Sequence, residues 1–396
     1  MLMRYIARMI RQVSPWLLYK AARLWVAGGM RAMRAHRRRL ARGELFPPFL
    51  FLALTDACNL RCRGCWIESH GRPRQLTWDE VQTVIESGRR HAVNFFALLG
   101  GEPFLYRDLW RLVESYPECY FQIITNGLFF TPEVVSRLRR AGNVSPLVSI
   151  DGWREANDER RGEGVFDRAV AGLKELKRGR LLFGVATTVT SRNIEEVLDE
   201  RYVNFFIEQG AAYLWYYGYR PVGADPAAHL ALDARGMREF RRRLIALRRR
   251  SPIILIDTYW DAEGKAVCPA AAGLGFHIGP QGSIEPCPPL SLACETVRES
   301  DGDLFAAINQ STMLRDFQEF CRSHTNGCVI LEQPQRLAEF FARHQARDFS
   351  GRDLIAELSA SAPRPSHDLG QHAMPEESRL YRYLKRQLFF GMGGYG

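Results

Sequence analysis

Cys58-Asn59-Leu60-Arg61-Cys62-Arg63-Gly64-Cys65 sets three thiols within eight residues, soon after the apolar run Phe49–Leu54. The apolar run reads as a strand that ends in polar turn residues. Three thiolates this close in sequence can hold three irons of a cubane cluster and leave the fourth without a protein ligand. A catalytic metal keeps such an open position, whereas a structural site is closed. A zinc site is the alternative that this stretch allows by itself.

Outward from these cysteines, strand-like runs alternate with helix-like segments as far as residue 250, the pattern of a parallel β/α fold. The strand candidates are Phe49–Leu54, Val93–Leu99, Tyr120–Ile124, Leu147–Ile150, Leu181–Val189 and Tyr213–Tyr217. Helices are expected over Thr77–Arg90, Asp108–Ser115, Pro132–Ala141, Val165–Lys177, Ile194–Gln209 and Ala234–Arg250, with Thr77 as an N-cap. Six such units are about three-quarters of the eight in a closed barrel. The expected fold is therefore α/β: a partial (β/α)6 TIM-like barrel, open at the side, with a small cysteine-rich C-terminal auxiliary domain. The loops after the strands form the active face of such a barrel, and the first cysteines lie in one of them. Four segments follow: a basic amphipathic arm over 1–47, the barrel over 48–250, the auxiliary domain over 251–347, and a linker with a last helix over 348–396. Gly279-Pro280-Gln281-Gly282 reads as a tight turn between two short strands. The last helix is expected over Glu376–Phe390, before a glycine-rich end.

Further motifs stand at the ends of successive strands. Gly100-Gly101-Glu102-Pro103 follows the second, Thr125-Asn126-Gly127 the third and Ser149-Ile150-Asp151-Gly152 the fourth. Arg161-Gly162-x-Gly164-x-Phe166 then opens the fourth helix. With the cysteine stretch, this order over about residues 48–220 resembles the radical S-adenosylmethionine (SAM) superfamily. The resemblance implies that Cys58, Cys62 and Cys65 hold a [4Fe–4S] cluster whose open iron binds the amino and carboxylate groups of SAM. Gly100, Gly101, Glu102 and Pro103 would meet the SAM amine, glycine letting the backbone approach closely. Ser149 or Asp151 would reach the ribose, Thr188 or Asn193 would complete the adenosine pocket, and Asn126 and Arg161 belong to the same implied set. A flavodoxin or ferredoxin would supply one electron, SAM would break to methionine and a 5′-deoxyadenosyl radical, and the radical would take hydrogen from the substrate. The protein's share is positioning and exclusion of water and oxygen. One position departs from the family pattern: an aromatic residue normally precedes the third cysteine, and here that residue is Gly64, with Trp66 just after the cysteine. A non-catalytic iron–sulfur redox or sensing protein is the alternative of another class, against which the intact Gly100–Pro103 stretch argues.

Cys268, followed by Gly282-x4-Cys287, resembles the opening of the SPASM and twitch auxiliary-cluster domains. The resemblance implies a second [4Fe–4S] cluster on Cys268, Cys287 and Cys328, with Cys321 preferred to Cys294 as fourth ligand. Zinc or free thiols are the alternative. Cys119, on a strand edge, reads as a buried core thiol. Tyr213, Trp215, Tyr217 and Tyr219 share one face of the sixth strand by alternation and read as core before cavity lining. His277 and His324 read as ordinary polar groups, and Arg241–Arg243 and Arg248–Arg250 as a solvated helix face.

Nine cysteines in 396 residues do not make a disulfide scaffold, and their clustering suits the reducing cytoplasm. Residues 1–43 hold ten arginines and Lys20 against no acid, eleven charges set against a net +10 for the whole chain. The body is therefore electrically balanced, which leaves nucleic acid as the weaker third partner for the basic arm. Ile6, Ile10, Val13, Trp16, Leu17, Leu24, Trp25 and Val26 are interspersed among those cations. Lys20 and Arg23 break any signal peptide or spanning segment. A basic amphipathic helix with tryptophan fits a peripheral element on anionic lipid, at the inner membrane face; a helical extension packed on the barrel is the other reading. The auxiliary domain and Arg161-Gly162 point to a peptide or protein substrate, and the arm points to a membrane lipid or isoprenoid.

Overall fold

The computed structural model describes residues 2–67, 72–223 and 225–386. Near-continuous apolar runs become strands buried on both faces, as parallel strands covered by helices must be. Six of them, β1 (Leu50–Thr55), β2 (Phe95–Gly100), β3 (Tyr120–Thr125), β4 (Val144–Ser149), β5 (Gly184–Val189) and β6 (Tyr213–Gly218), stand side by side in chain order. β7 (Ile254–Ile256) adds parallel to β6, and β8 (His277–Ile278) adds parallel to β1. β8 then turns back into β9 (Ile284–Glu285) as an antiparallel pair, the hairpin expected at Gly279–Gly282. The barrel is thus partial, and both edges of its sheet are extended by residues from beyond position 250.

The helices over Pro132–Ala141 and Ala234–Arg250 fall where the pattern set them. Thr77 caps the helix over Trp78–Arg90 in a reciprocal box: its Oγ1 accepts from Glu80 N (3.3 Å), and the Glu80 carboxylate accepts from Thr77 N (2.8 Å). Two differences have local causes. The helix expected over Ile194–Gln209 is two, Ile194–Val197 and Glu200–Gln209, because Asp199 caps the second through Arg201 N. A further helix, Arg154–Arg161, precedes the one over Val165–Arg178; its sequence REANDERR carries no apolar period, and only Asn157 on it is buried.

The arginine runs on Ala234–Arg250 are not a uniform solvated face. Arg241 and Arg248 are fully buried, and Arg248 bridges Asp257 and Glu376 (2.7 Å to Glu376), with Lys385 on Asp257 at 3.0 Å. These ions clasp residues 374–386 onto the barrel. The expected last helix starts three residues later, with an α-helix over Arg379–Leu384 behind Ser378; residues 387–396, with the glycine-rich end, lie outside the described residues.

The arm lies under the barrel, at the N-terminal ends of the strands. Trp25 stacks on Tyr120 (5.4 Å) and Phe95 (5.9 Å) and meets Tyr213 edge-on (5.5 Å), the first residues of β3, β2 and β6. Asn94 Nδ2 donates to Leu24 O, Arg8 donates to Ala211 O, and Ser14 N donates to Arg180 O, all just ahead of strands. Val13, Leu17 and Leu24 are buried in this floor. The packed extension is therefore the right reading of one face of the arm.

Candidate active site

Four neighbours hold the first cysteine loop at the C-terminal rim. From one side, Asp56 accepts from Arg74 N (2.7 Å) and Arg74 Nε (2.6 Å). From the β2 loop, Gly101 N donates to Thr55 O (2.7 Å) and Glu102 N to Ala57 O (2.8 Å). From the other sides, Asn126 Nδ2 donates to Asn59 Oδ1 (2.8 Å) and Arg63 N to Arg160 O (2.8 Å). Gly100 and Gly101 are explained by this crossing rather than by ligand approach. A Cβ on Gly100 would stand 2.2 Å from Thr55 O, and one on Gly101 would stand 2.2 Å from Ala57 O.

Cys58, Cys62 and Cys65 line a cavity of about 210 Å³, together with Gly100, Gly101, Asn126, Ser149, Arg161 and Thr188. Those nine positions, drawn from the ends of β1 to β5 and the helix that follows β4, are the expected set that the fold brings together. Three expected residues stand elsewhere. Glu102 is fully buried, and its carboxylate accepts from Thr125 Oγ1 (2.8 Å), Asn126 N (2.8 Å) and Phe104 N (3.2 Å). It therefore staples the β2 loop to the β3 loop instead of reaching an amine. Burial pushes its carboxyl up to about 7, against the pull of those three donors. Pro103 opens a buried turn off the cavity wall. Asp151 also sits behind the wall: it accepts from Thr188 N (2.7 Å) and Arg161 Nε (2.6 Å) and pairs with Arg160. Burial raises its carboxyl, but Arg161 and Arg160 outweigh that and hold it near 2. Of the two residues expected at the ribose, only Ser149 faces the cavity, and Asp151 fixes Arg160, Arg161 and Thr188. Asn193 is likewise a brace, donating to Asp151 O (2.9 Å) and Thr188 O (2.8 Å).

Arg160, Tyr217, Tyr219 and Arg220 complete the wall, unforeseen as a group except for the two tyrosines. Tyr217 Oη is buried without a hydrogen-bond partner, a polar atom left for a ligand. Trp215 stacks on Tyr217 (5.6 Å), whereas Tyr213 bonds Gln122 (3.0 Å) and Ser145 (2.8 Å) deeper in the barrel. The strand face is therefore core at its start and cavity at its end. Gly64 has φ +65° and passes so close to Tyr219 that a Cβ would lie 1.8 Å from the phenol oxygen. Tyr219 thus occupies the space that a side chain at position 64 would take, and Trp66 lines the same cavity. Burial pushes the Cys58 thiol up to about 11 and raises Cys65, which Arg160 and Arg161 partly offset.

The second set is built differently. Cys268, Cys321 (on the helix Thr312–His324) and Cys328 are buried, Cys287 nearly so, and each comes from a separate stretch. Cys268 and Cys321 share a hydrogen bond that lowers the Cys268 thiol and raises that of Cys321, and Cys287 and Cys328 lie within electrostatic reach of both. Arg220, on the wall of the first cavity, favours the ionised form of Cys268, Cys287 and Cys328. Cys294 is apart, donating to His344 O beside the β10–β11 pair, Leu292–Ala293 with Arg347–Asp348. Cys119 is a buried thiol raised by desolvation. His277 pairs with buried Glu285, and His324 stacks on Phe320. Among the described residues no three His, Cys, Asp or Glu side chains are gathered tightly enough for a single metal ion.

A partial parallel barrel whose rim loop turns three cysteines into a cavity is the build of a protein that carries an iron–sulfur cluster on its active face. Residues 52–199 match the radical SAM superfamily. The chain is 32% identical over 261 residues to the mycofactocin maturase MftC of Mycolicibacterium smegmatis, covering 62% of this chain and 66% of that one. It is 34% identical over 157 residues to the AdoMet-dependent heme synthase of Methanosarcina barkeri, covering 38% of this chain and 45% of that one. The match thus spans just under two thirds of the first relative and less than half of the second. Streptococcus suis SuiB solved with S-adenosylmethionine superposes with TM-score 0.59 at 17% identity, over 72% of each chain. SuiB bound to its precursor peptide SuiA gives 0.57 at 16%, over 72% of this chain and 69% of that one. At such identities the likeness is one of fold.

Proposed function

We propose that this chain is a radical SAM enzyme that modifies a peptide or protein substrate. The observation that carries the reading is the convergence of Cys58, Cys62 and Cys65 with Ser149, Arg161 and Thr188 on one cavity. The donor set fits the implied groups: three thiols for three irons, and polar side chains with an unpartnered phenol for a nucleoside and its substrate. When bound, the cluster supplies the electron that splits SAM and so generates the radical that abstracts hydrogen. The residues' own work is positioning. Asn126, locked to Asn59, and the Asp56–Arg74 pair fix the cysteine loop. Asp151 fixes Arg160 and Arg161, whose charges favour the thiolate of Cys65 and suit a carboxylate. Tyr217, Tyr219, Pro288 and Pro289 line the same cavity, and their rings and phenols would help to exclude water from it.

Cys268, Cys287, Cys321 and Cys328 are the proposed ligands of an auxiliary [4Fe–4S] cluster, and a flavodoxin or ferredoxin type protein is the proposed electron donor. A peptide or protein substrate is favoured because SuiB, of the same fold, is solved with a precursor peptide. The lipid or isoprenoid reading rested on the arm, which packs at the opposite end of the barrel from the cavity. Attachment of the arm to an anionic membrane concerns where the enzyme works, not what it takes. The test is spectroscopic: SAM added to the reduced, reconstituted protein should change the electron paramagnetic resonance of one cluster. The change should vanish in Cys62→Ala and persist in Cys328→Ala. A spectrum indifferent to SAM would overturn the reading in favour of a redox or sensing protein.

A further inference from the structure

The floor of the barrel carries a surface that the chemistry of the cavity does not use. Among the described residues nine large apolar side chains stand exposed, and seven of them, Leu2, Met3, Ile6, Ile10, Trp16, Tyr19 and Val26, belong to the arm. Scattered single apolar residues are ordinary on a protein surface, but a concentration of this kind marks an interaction site. On the helix Leu2–Gln12, Met3, Ile6 and Ile10 follow one another at three- and four-residue steps and so share a face. Met3 is 78% exposed and Ile10 60%, while Met9 and Val13 on the same stretch are buried against the barrel. The arm is therefore apolar on two faces, and the packing of the fold accounts for only one.

The charge that the arm itself carries is of a single sign, with Glu44 beside Arg42 and Glu118 near Lys20 as the acids that adjoin it. Arg4, Arg11, Arg23, Arg31, Arg34, Arg37, Arg38 and Arg42 are exposed, and no acid lies within residues 1–43. A protein partner would need a matching acidic groove, and a second copy would bring like charges together. An anionic bilayer offers negative headgroups and an apolar layer at the same depth, which is what a cationic helix with exposed Met, Ile and Trp requires.

We propose that the outer face of the arm docks the protein on an anionic membrane, with the barrel floor toward the lipid and the cavity mouth toward the water. The orientation follows from where the two ends of the strands lie. The arm touches Phe95, Tyr120 and Tyr213, the first residues of their strands, whereas the cavity is lined by Gly100, Ser149 and Gly218, the last residues of β2, β4 and β6. Strands of this length separate the two by roughly 17 Å. Substrate therefore enters from the aqueous side, a statement that rests on the cavity being the active site; the docking itself does not.

The experiment uses the full chain with vesicles of phosphatidylcholine alone or with about one-third phosphatidylglycerol. Wild type should sediment with the anionic vesicles, release as salt rises from about 0.1 to 1 M, and ignore the neutral ones. The variant Met3→Asp/Ile6→Asp/Ile10→Asp, altered only at exposed positions, should lose at least about tenfold in partition while keeping its thermal midpoint. Hydrogen exchange on the bound wild type should slow at residues 2–26 and stay unchanged at residues 57–66 and 219–223. Slowing at those rim loops instead would overturn the orientation. Undiminished binding of the triple variant, or no binding by wild type, would overturn the docking. Self-association that the triple variant loses, without vesicle binding, would give the face to a second copy and overturn it equally.

Discussion

The two cysteine sets of this chain are built on opposite plans. Cys58, Cys62 and Cys65 come from one loop of eight residues, are partly exposed, and face a cavity that polar groups from several strands share. Cys268, Cys287, Cys321 and Cys328 are spread across some sixty residues; Cys268, Cys321 and Cys328 belong to the buried core, and Cys287 packs against it. A ligand set drawn from one loop can lose its cluster without unfolding anything beyond the loop. A set spread over separate elements ties those elements together, so a cluster held there would also be a staple. The first arrangement leaves room for a fourth, exchangeable ligand; the second supplies four of its own.

The sharpest way to break this comparison is to remove one ligand from each set. Cys328→Ala should lower iron from about eight to about four per chain and cost about 3 kcal/mol or more of stability, a thermal midpoint lower by roughly 6 °C. Cys62→Ala should lose the same iron with a midpoint shift below about 2 °C. Equal shifts in a melting experiment would erase the distinction, and Cys294→Ala should leave the iron count unchanged.

Next in size are the braces behind the first set. Asp151→Asn frees Arg160 and Arg161 and should raise the KM for SAM by about tenfold or more, with a stability loss of about 2 kcal/mol at neutral pH. Because the folded carboxyl is held near 2, below its usual value near 3.8, its contribution is present above that usual value and fades as pH falls toward 2. Acid titration of wild type against Asp151→Asn should show the difference closing over that window. Glu102 has the opposite sign: raised from 4.5 to about 7, its neutral form favours the fold below pH 4.5, and that advantage is lost as pH rises to 7. Glu102→Gln should remove this slope while costing about 1–3 kcal/mol, since an amide NH2 must then face a donor. Denaturant titrations at pH 5 and 8 read both.

The smallest effect belongs to Gly64. Gly64→Ala should cost about 1–2 kcal/mol from its positive φ and the contact with Tyr219. Tyr219→Phe, which removes the oxygen in the way, should recover part of that, a coupling of about 0.5 kcal/mol or more in a double-mutant cycle.

The barrel was legible because its strands are unbroken apolar runs and its helices carry caps such as Thr77–Glu80 that act over three residues. The cavity-lining cysteines, Gly100, Asn126, Ser149 and Thr188 were legible because motif position after a strand decides placement in this fold. What lay outside local reach was the direction of buried charge. Glu102 and Asp151 turn away from the cavity toward donors that sit 23 and 37 positions along the chain, Thr125 and Thr188. Arg241 and Arg248 look like surface residues until Asp257, Glu376 and Lys385 are folded against them. The helix Arg154–Arg161 has no apolar stripe to announce it. In the arm, Met9 and Val13 turn inward while Met3, Ile6 and Ile10 turn outward, a division that one apolar period cannot express.

Cys58, Cys62 and Cys65 are proposed to carry chemistry and not merely metal. The most direct test is anaerobic reconstitution with iron and sulfide, followed by reductant and SAM, with 5′-deoxyadenosine as the readout. Wild type should form 5′-deoxyadenosine and methionine in equal amounts, and Cys58→Ala should form neither above background. Equal yields from the two proteins, or none from a wild type shown to hold its full iron, would contradict the account.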